Sequence, residues 1–140
     1  MKSVTTQNIS QSQAQAVMEA TLAEAHRRGT HVNIAVVDSA ADLKAFVRMD
    51  DAWLGTIDVA IKKARTAALF RMSTASLGPL VQPGAPLYGL DDTNDGLITF
   101  GGGEPLVSDD GTVIGAVGVS GSTVENDEAT AKVGASALGS

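Results

Sequence analysis

The chain of 140 residues contains no cysteine. That excludes disulfides, thiolate catalysis and cysteine-based zinc or iron–sulfur sites. Histidine is nearly as scarce: His26 and His31 are the only two. Nothing in their spacing implies a third ligand, so no metal site is assigned. Aromatics make up 4% of the residues, too few for the stacking platforms of a single-strand binder. Acids outnumber bases by 16 to 10, for a net charge of −6. No basic cluster exceeds two residues, so the balance argues against a nucleic-acid partner. No apolar run approaches the length of a membrane span, and residues 1–10 lack the apolar centre of an export signal. The expectation is a soluble, cytoplasmic protein with no membrane partner. Walker and dinucleotide-binding motifs are missing as well. Gly118-Val119-Ser120-Gly121-Ser122 approaches a nucleophile elbow but lacks its second glycine. Both histidines precede it, which is the wrong chain order for an α/β-hydrolase.

What is present is an ordinary globular composition, 44% hydrophobic and 19% charged, of a size that fits one domain over residues 1–140. Ser10 and Gln13 form a capping box. Ala14, Val17, Met18, Thr21, Leu22 and Ala25 then recur at helical spacing. Residues 31–37 are apolar on both faces and predict a central strand. Residues 43–48 return after a polar turn with charged positions, as an edge strand does. A second helix is predicted over 54–70, with the small residues Ala60, Ala64, Ala67 and Ala68 suited to close packing. Ser73 suits the N-cap of a short helix, and 78–89, with three of the four prolines, reads as irregular. Strands are predicted at 97–100 and 104–108, on either side of Gly101-Gly102-Gly103. A hairpin turn at Asp109-Asp110-Gly111 leads into a central strand over 112–119. Ser122 and Glu125 read as a second capping box opening a helix over 124–138. Two hairpins demand antiparallel neighbours, and two strands apolar on both faces demand helices on both sides. The expected fold is α+β, a three-layer α/β/α sandwich around a five-stranded, mainly antiparallel sheet.

The triple glycine is the most conspicuous local feature. Exposed amides in such a turn can form a nest for an anionic group, and the start of the last helix would add donors beside it. Gly101, Gly102, Gly103, Phe100, Arg48, Tyr88 and Glu125 are therefore candidate ligand-binding residues. Glu125 or Asp127 could act as a general base, with Lys63 stabilising charge, if the protein is an enzyme of small-molecule catabolism such as an isomerase, lyase or hydrolase. Phe46, Phe70 and Phe100 read as core residues. Trp53 and Tyr88 are better placed to line a cleft or an oligomer contact.

Several segments occur together and in order: Ala35-Val36-Val37-Asp38, Arg48-Met49-Asp50, Ile57-Asp58-Val59-Ala60 with Lys63 to Ala67, Pro86 to Leu90, Phe100 to Gly103 with Pro105-Leu106, and Gly115 to Gly121 with Glu125 and Asp127. Over nearly the whole chain they resemble the GlcG/HbpS-like family, formerly a domain of unknown function. The resemblance implies a profilin-like sandwich and homo-oligomers, often tetramers or octamers. It also implies a small ligand, with haem or a corrinoid as possible cofactor, because some members bind haem and a related domain is fused to corrinoid adenosyltransferases. Other members sit among genes for glycolate use or aromatic breakdown, which keeps a small organic acid open as the ligand. Glu104 departs from the family pattern, which more often places an apolar residue after the glycines. A negative charge there works against a carboxylate or phosphate guest.

Overall fold

The computed structural model describes residues 1–139. Helix α1 spans Gln11–Arg27. Its capping box forms as expected: the Gln13 amide donates to Ser10 Oγ at 3.1 Å, and the Ser10 amide donates to Gln13 Oε1 at 2.9 Å. The apolar stripe Ala14, Val17, Met18 and Ala25 is buried.

Strand β1 (Asn33–Asp38) is buried along nearly its whole length, and β2 (Leu43–Arg48) pairs antiparallel to it from Asn33↔Arg48 to Val37↔Leu43. Asp38 Oδ1 organises the intervening turn by accepting from the amides of Ala40 and Asp42. Helix α2 (Gly55–Phe70) follows, then the short helix α3 (Thr74–Leu77), capped by Ser73. After an irregular stretch come β3 (Gly103–Val107), β4 (Val113–Ser120) and helix α4 (Val124–Ser136).

The sheet order is β2-β1-β4-β3, antiparallel throughout. It has four strands among the described residues, not five. Residues 97–100, expected as a strand, run past α2 instead. Asn94, Asp95 and Gly96 all have positive φ just before them, which turns the chain off the path to the sheet edge. Their amides then bond elsewhere: Leu97 to the Asp91 carbonyl, and Ile98 to Thr66 Oγ1 on α2. Alternation alone could not show that these donors were already taken.

The three layers do form. One face of the sheet carries Ile34, Val36, Leu106, Val117 and Val119 against α1 and α4. The other carries Ala35, Val37 and Ala116 against Ala64, Ala67 and Ala68 of α2. This second layer is thin because its side chains are mostly alanine. Gly118 sets the approach: a methyl group there would collide with the Ala60 carbonyl and the Ala64 amide of α2. The core proves nearly free of aromatic rings. Phe46 and Phe70 are half-buried and Phe100 is exposed, contrary to their expected core positions.

The last helix starts at Val124 as expected, but its cap lies one residue later than the predicted Ser122. Thr123 is the N-cap, accepting from the Asn126 amide at 3.1 Å, so Glu125 has no capping role.

Candidate functional site

Lys62 and Lys63 are consecutive on α2, so helix geometry sends them to different faces. Lys62 stays at the surface and pairs with Asp58 at 3.0 Å. Lys63 points into the molecule and is only 1% exposed. Its Nζ donates to the Val119 carbonyl at 2.8 Å and lies 3.4 Å from Asp127 Oδ2. The Phe100 ring covers it from one side, with its centroid 5.1 Å away, within cation–π range.

Asp127 is equally enclosed. Its Oδ2 accepts from the Gly121 amide at 3.2 Å and its Oδ1 from the Ser122 amide at 3.1 Å. Burial raises the Asp127 carboxyl above the usual carboxylate range, against the opposing pull of Lys63 and the two amides. Burial likewise lowers the Lys63 ammonium, against the opposing pull of Asp127. The pair therefore ties α2, β4 and α4 together around the loop at 121–122.

Gly102 makes this possible. Its φ is +128°, and a methyl group there would sit 2.6 Å from both Lys63 Nζ and the Val119 carbonyl. The neighbouring glycines work in the same way. Gly101 leaves room for the Glu128 side chain and Gly103 for the Lys63 backbone carbonyl. All three are buried. The Gly103 amide donates to Thr74 Oγ1 at 3.0 Å, and the Gly102 carbonyl accepts from Val119 at 2.8 Å. The expected open nest is thus replaced by a close-packed turn that admits a lysine head group. Bare glycines suit both outcomes, and only the position of the Lys63 side chain separates them.

Of the candidate residues, the structure gathers Lys63, Asp127, Phe100 and the glycines. Glu125 stands exposed on the first turn of α4, and Tyr88 is 68% exposed in the irregular connection. Arg48 sits two strands from β4, since it pairs with Asn33, which pairs with Ser120; strand spacing makes that roughly 10 Å. Sequence reasoning missed Thr74 and the Val119 carbonyl, neither of which had a signal beyond the apolar strand and the short helix around it. It flagged Glu104 only as a stray charge. Glu104 lies on the α4 side of β3, 9% exposed, and its Oε1 has no partner among the described residues. Burial, with a smaller push from Glu128, raises its carboxyl pKa against the pull of Lys132.

Open space lies elsewhere. A hollow of about 550 Å³ sits between the end of α1 and the end of β2, walled by Leu22, Val47 and Met49 and rimmed by His26, His31 and Arg48. A second of about 350 Å³ adjoins it at His31 and extends past Trp53 to Ser122.

The family model for the haem degrading protein HbpS-like domain matches residues 9–136. The chain belongs to the HbpS-like family. It is 42% identical, over 85% of its length, to an uncharacterized 15.0 kDa protein from the dhaT-dhaS intergenic region of Citrobacter freundii, of which the match covers 84%. It is 41% identical, over 76% of its length, to the corrinoid adenosyltransferase PduO of Salmonella typhimurium, but the match spans only 32% of that protein. The crystal structure of a PduOC–haem complex superposes with a TM-score of 0.88 at 36% identity, covering 94% of this chain and 95% of that one. The expected GlcG/HbpS-like resemblance is confirmed. No helix among the described residues is long and apolar enough to cross a membrane.

Proposed function

We propose that this HbpS-like chain is a cytoplasmic small-ligand-binding protein whose ligand is a tetrapyrrole, haem or a corrinoid. The observation that carries the reading is the likeness to PduOC, crystallised with haem, at 36% identity over nearly the whole chain. The structure supports it through the hollow at the end of α1. Its volume of about 550 Å³ falls within the range of cofactor pockets. Leu22, Val47 and Met49 offer an apolar wall to a flat macrocycle, and His26 and His31 are the imidazoles available to its metal. Haem, when bound, would supply a redox-active iron.

Among the candidate site residues, those free to meet a guest are Arg48, Tyr88, Phe100 and Glu125, which reach solvent. Lys63, Asp127 and Gly101–Gly103 are buried and packed against one another. Asp127 already holds two loop amides and faces an ammonium, an arrangement that suits an anchor better than a general base. The chain is further proposed to act as a homo-oligomer, a tetramer or octamer, with the exposed Trp53 and Leu54 as contact residues; sedimentation as a monomer would remove that part.

The test is titration with haemin and with hydroxocobalamin at micromolar protein, followed by absorbance. A saturable shift of the Soret or corrinoid bands is expected. The absence of both ends the tetrapyrrole reading.

A further inference from the structure

The chain carries a net charge of −6, yet one hollow collects both of its histidines and an arginine. The other cations near it are already engaged. Arg27 and Arg28 both bond to Glu24, at 2.6 and 2.7 Å. Arg48 differs: no side chain or carbonyl among the described residues takes its guanidinium. Asp50 lines the same hollow but makes no ion pair with it. A single acid therefore faces three groups able to carry positive charge, around a wall of Leu22, Val47 and Met49. Such a site suits an apolar body bearing a carboxylate. A guanidinium binds a carboxylate through two parallel hydrogen bonds and gains much less from a neutral amide. Haem carries free propionates, whereas the corrin ring of cobalamin carries its side chains as amides.

We propose that Arg48 reads the carboxylate in this hollow, so that the chain prefers a tetrapyrrole with free propionates over a corrinoid. This rests on the tetrapyrrole reading above and assigns that ligand its specificity-determining residue.

The experiment titrates the wild type and Arg48→Gln with haemin, haemin dimethyl ester and hydroxocobalamin, read by absorbance. Haemin is expected to bind the wild type most tightly. Esterification and Arg48→Gln should each weaken binding about tenfold or more, the worth of one charge-assisted contact. The ester should bind both proteins alike, because one contact cannot be lost twice. Arg71→Gln is the control, since Arg71 lines a separate hollow with Thr5 and Ser39; it should keep wild-type affinity. The proposal is overturned by unchanged haemin affinity in Arg48→Gln, by additive losses, by an equal loss in Arg71→Gln, or by tighter binding of hydroxocobalamin than of haemin. In those outcomes a tetrapyrrole still binds, so the broader reading stands. Silence with both haemin and hydroxocobalamin overturns the two together. Arg48 is exposed, so its replacement should leave the fold intact, as circular dichroism will confirm.

Discussion

Asp127→Ala should be among the most damaging single substitutions in this chain, and more damaging than Lys63→Met. Each change strands one member of a buried ion pair. Breaking such a pair from one side costs about 3–5 kcal/mol. The charge penalty has a ceiling, because the stranded group can become neutral. From ordinary pKa values of about 4 and about 10, neutralising either at pH 7 costs roughly 4 kcal/mol, so charge alone does not separate the two variants. The hydrogen bonds do. Removing the Asp127 carboxylate also orphans the amides of Gly121 and Ser122, at about 1 kcal/mol or more each. Lys63→Met leaves both amides satisfied, orphans only the Val119 carbonyl, and fills much the same volume. The expected losses are about 5 kcal/mol for Asp127→Ala and about 3 kcal/mol for Lys63→Met. At about 3 °C per kcal/mol for a chain of this size, the former lowers the melting temperature by about 15 °C. The double variant contains no stranded charge and should be no less stable than Asp127→Ala alone. Urea denaturation followed by circular dichroism measures all three. Simple addition of the two losses, or a cost below about 1 kcal/mol for Asp127→Ala, would show that the pair is hydrated like a surface salt bridge and refute the anchor assigned to it.

Two further outcomes follow from the same packing. Gly102→Ala must place a methyl group 2.6 Å from Lys63 Nζ and a side chain at φ +128°; a loss of about 2–4 kcal/mol by chemical denaturation is expected, and a neutral effect would contradict the described turn. Glu104 has its carboxyl pKa raised by burial, so the folded state binds its proton more tightly than the unfolded chain does. Stability from this group is full below the ordinary carboxyl pKa and falls as pH rises through the folded value. Glu104→Gln should flatten that decline and equal or exceed the wild type at pH 7, whereas a steeper decline in the variant would reverse the assignment.

Much of the fold was legible because its signals are local. The Ser10 box, the doubly apolar strands β1 and β4 and the Asp109-Asp110-Gly111 turn each depend on a few adjacent residues, and each appears where expected. The fifth strand failed because its donors go to Asp91 and Thr66, one of them 32 positions away on a helix. The site was legible by residue type but not by direction. Lys63, Asp127 and the glycines were named as candidates together with Arg48, Tyr88 and Glu125, and nothing in the sequence separated the residues that pack together from those that stay exposed. Whether Lys62 or Lys63 would turn inward could not be read from two adjacent lysines, and that choice decides whether the glycine turn is open or filled.

The filled turn also bears on where function can reside. A lysine buried with its counter-ion is a poor investment in stability, since apolar residues of similar volume often serve as well. Here α2 meets the sheet mainly through alanines, and the long side chain that reaches the Gly102 turn is Lys63. Lys63 fastens the loop at 121–122 through Asp127. The same loop borders the hollow that reaches from Trp53 to His31, which in turn adjoins the one rimmed by Arg48. The buried pair thus lies behind the loop that shapes the open face, and loosening it should disturb ligand binding there even though neither partner touches the guest. Lys63→Met, if it still folds, should accordingly weaken haemin binding without abolishing it.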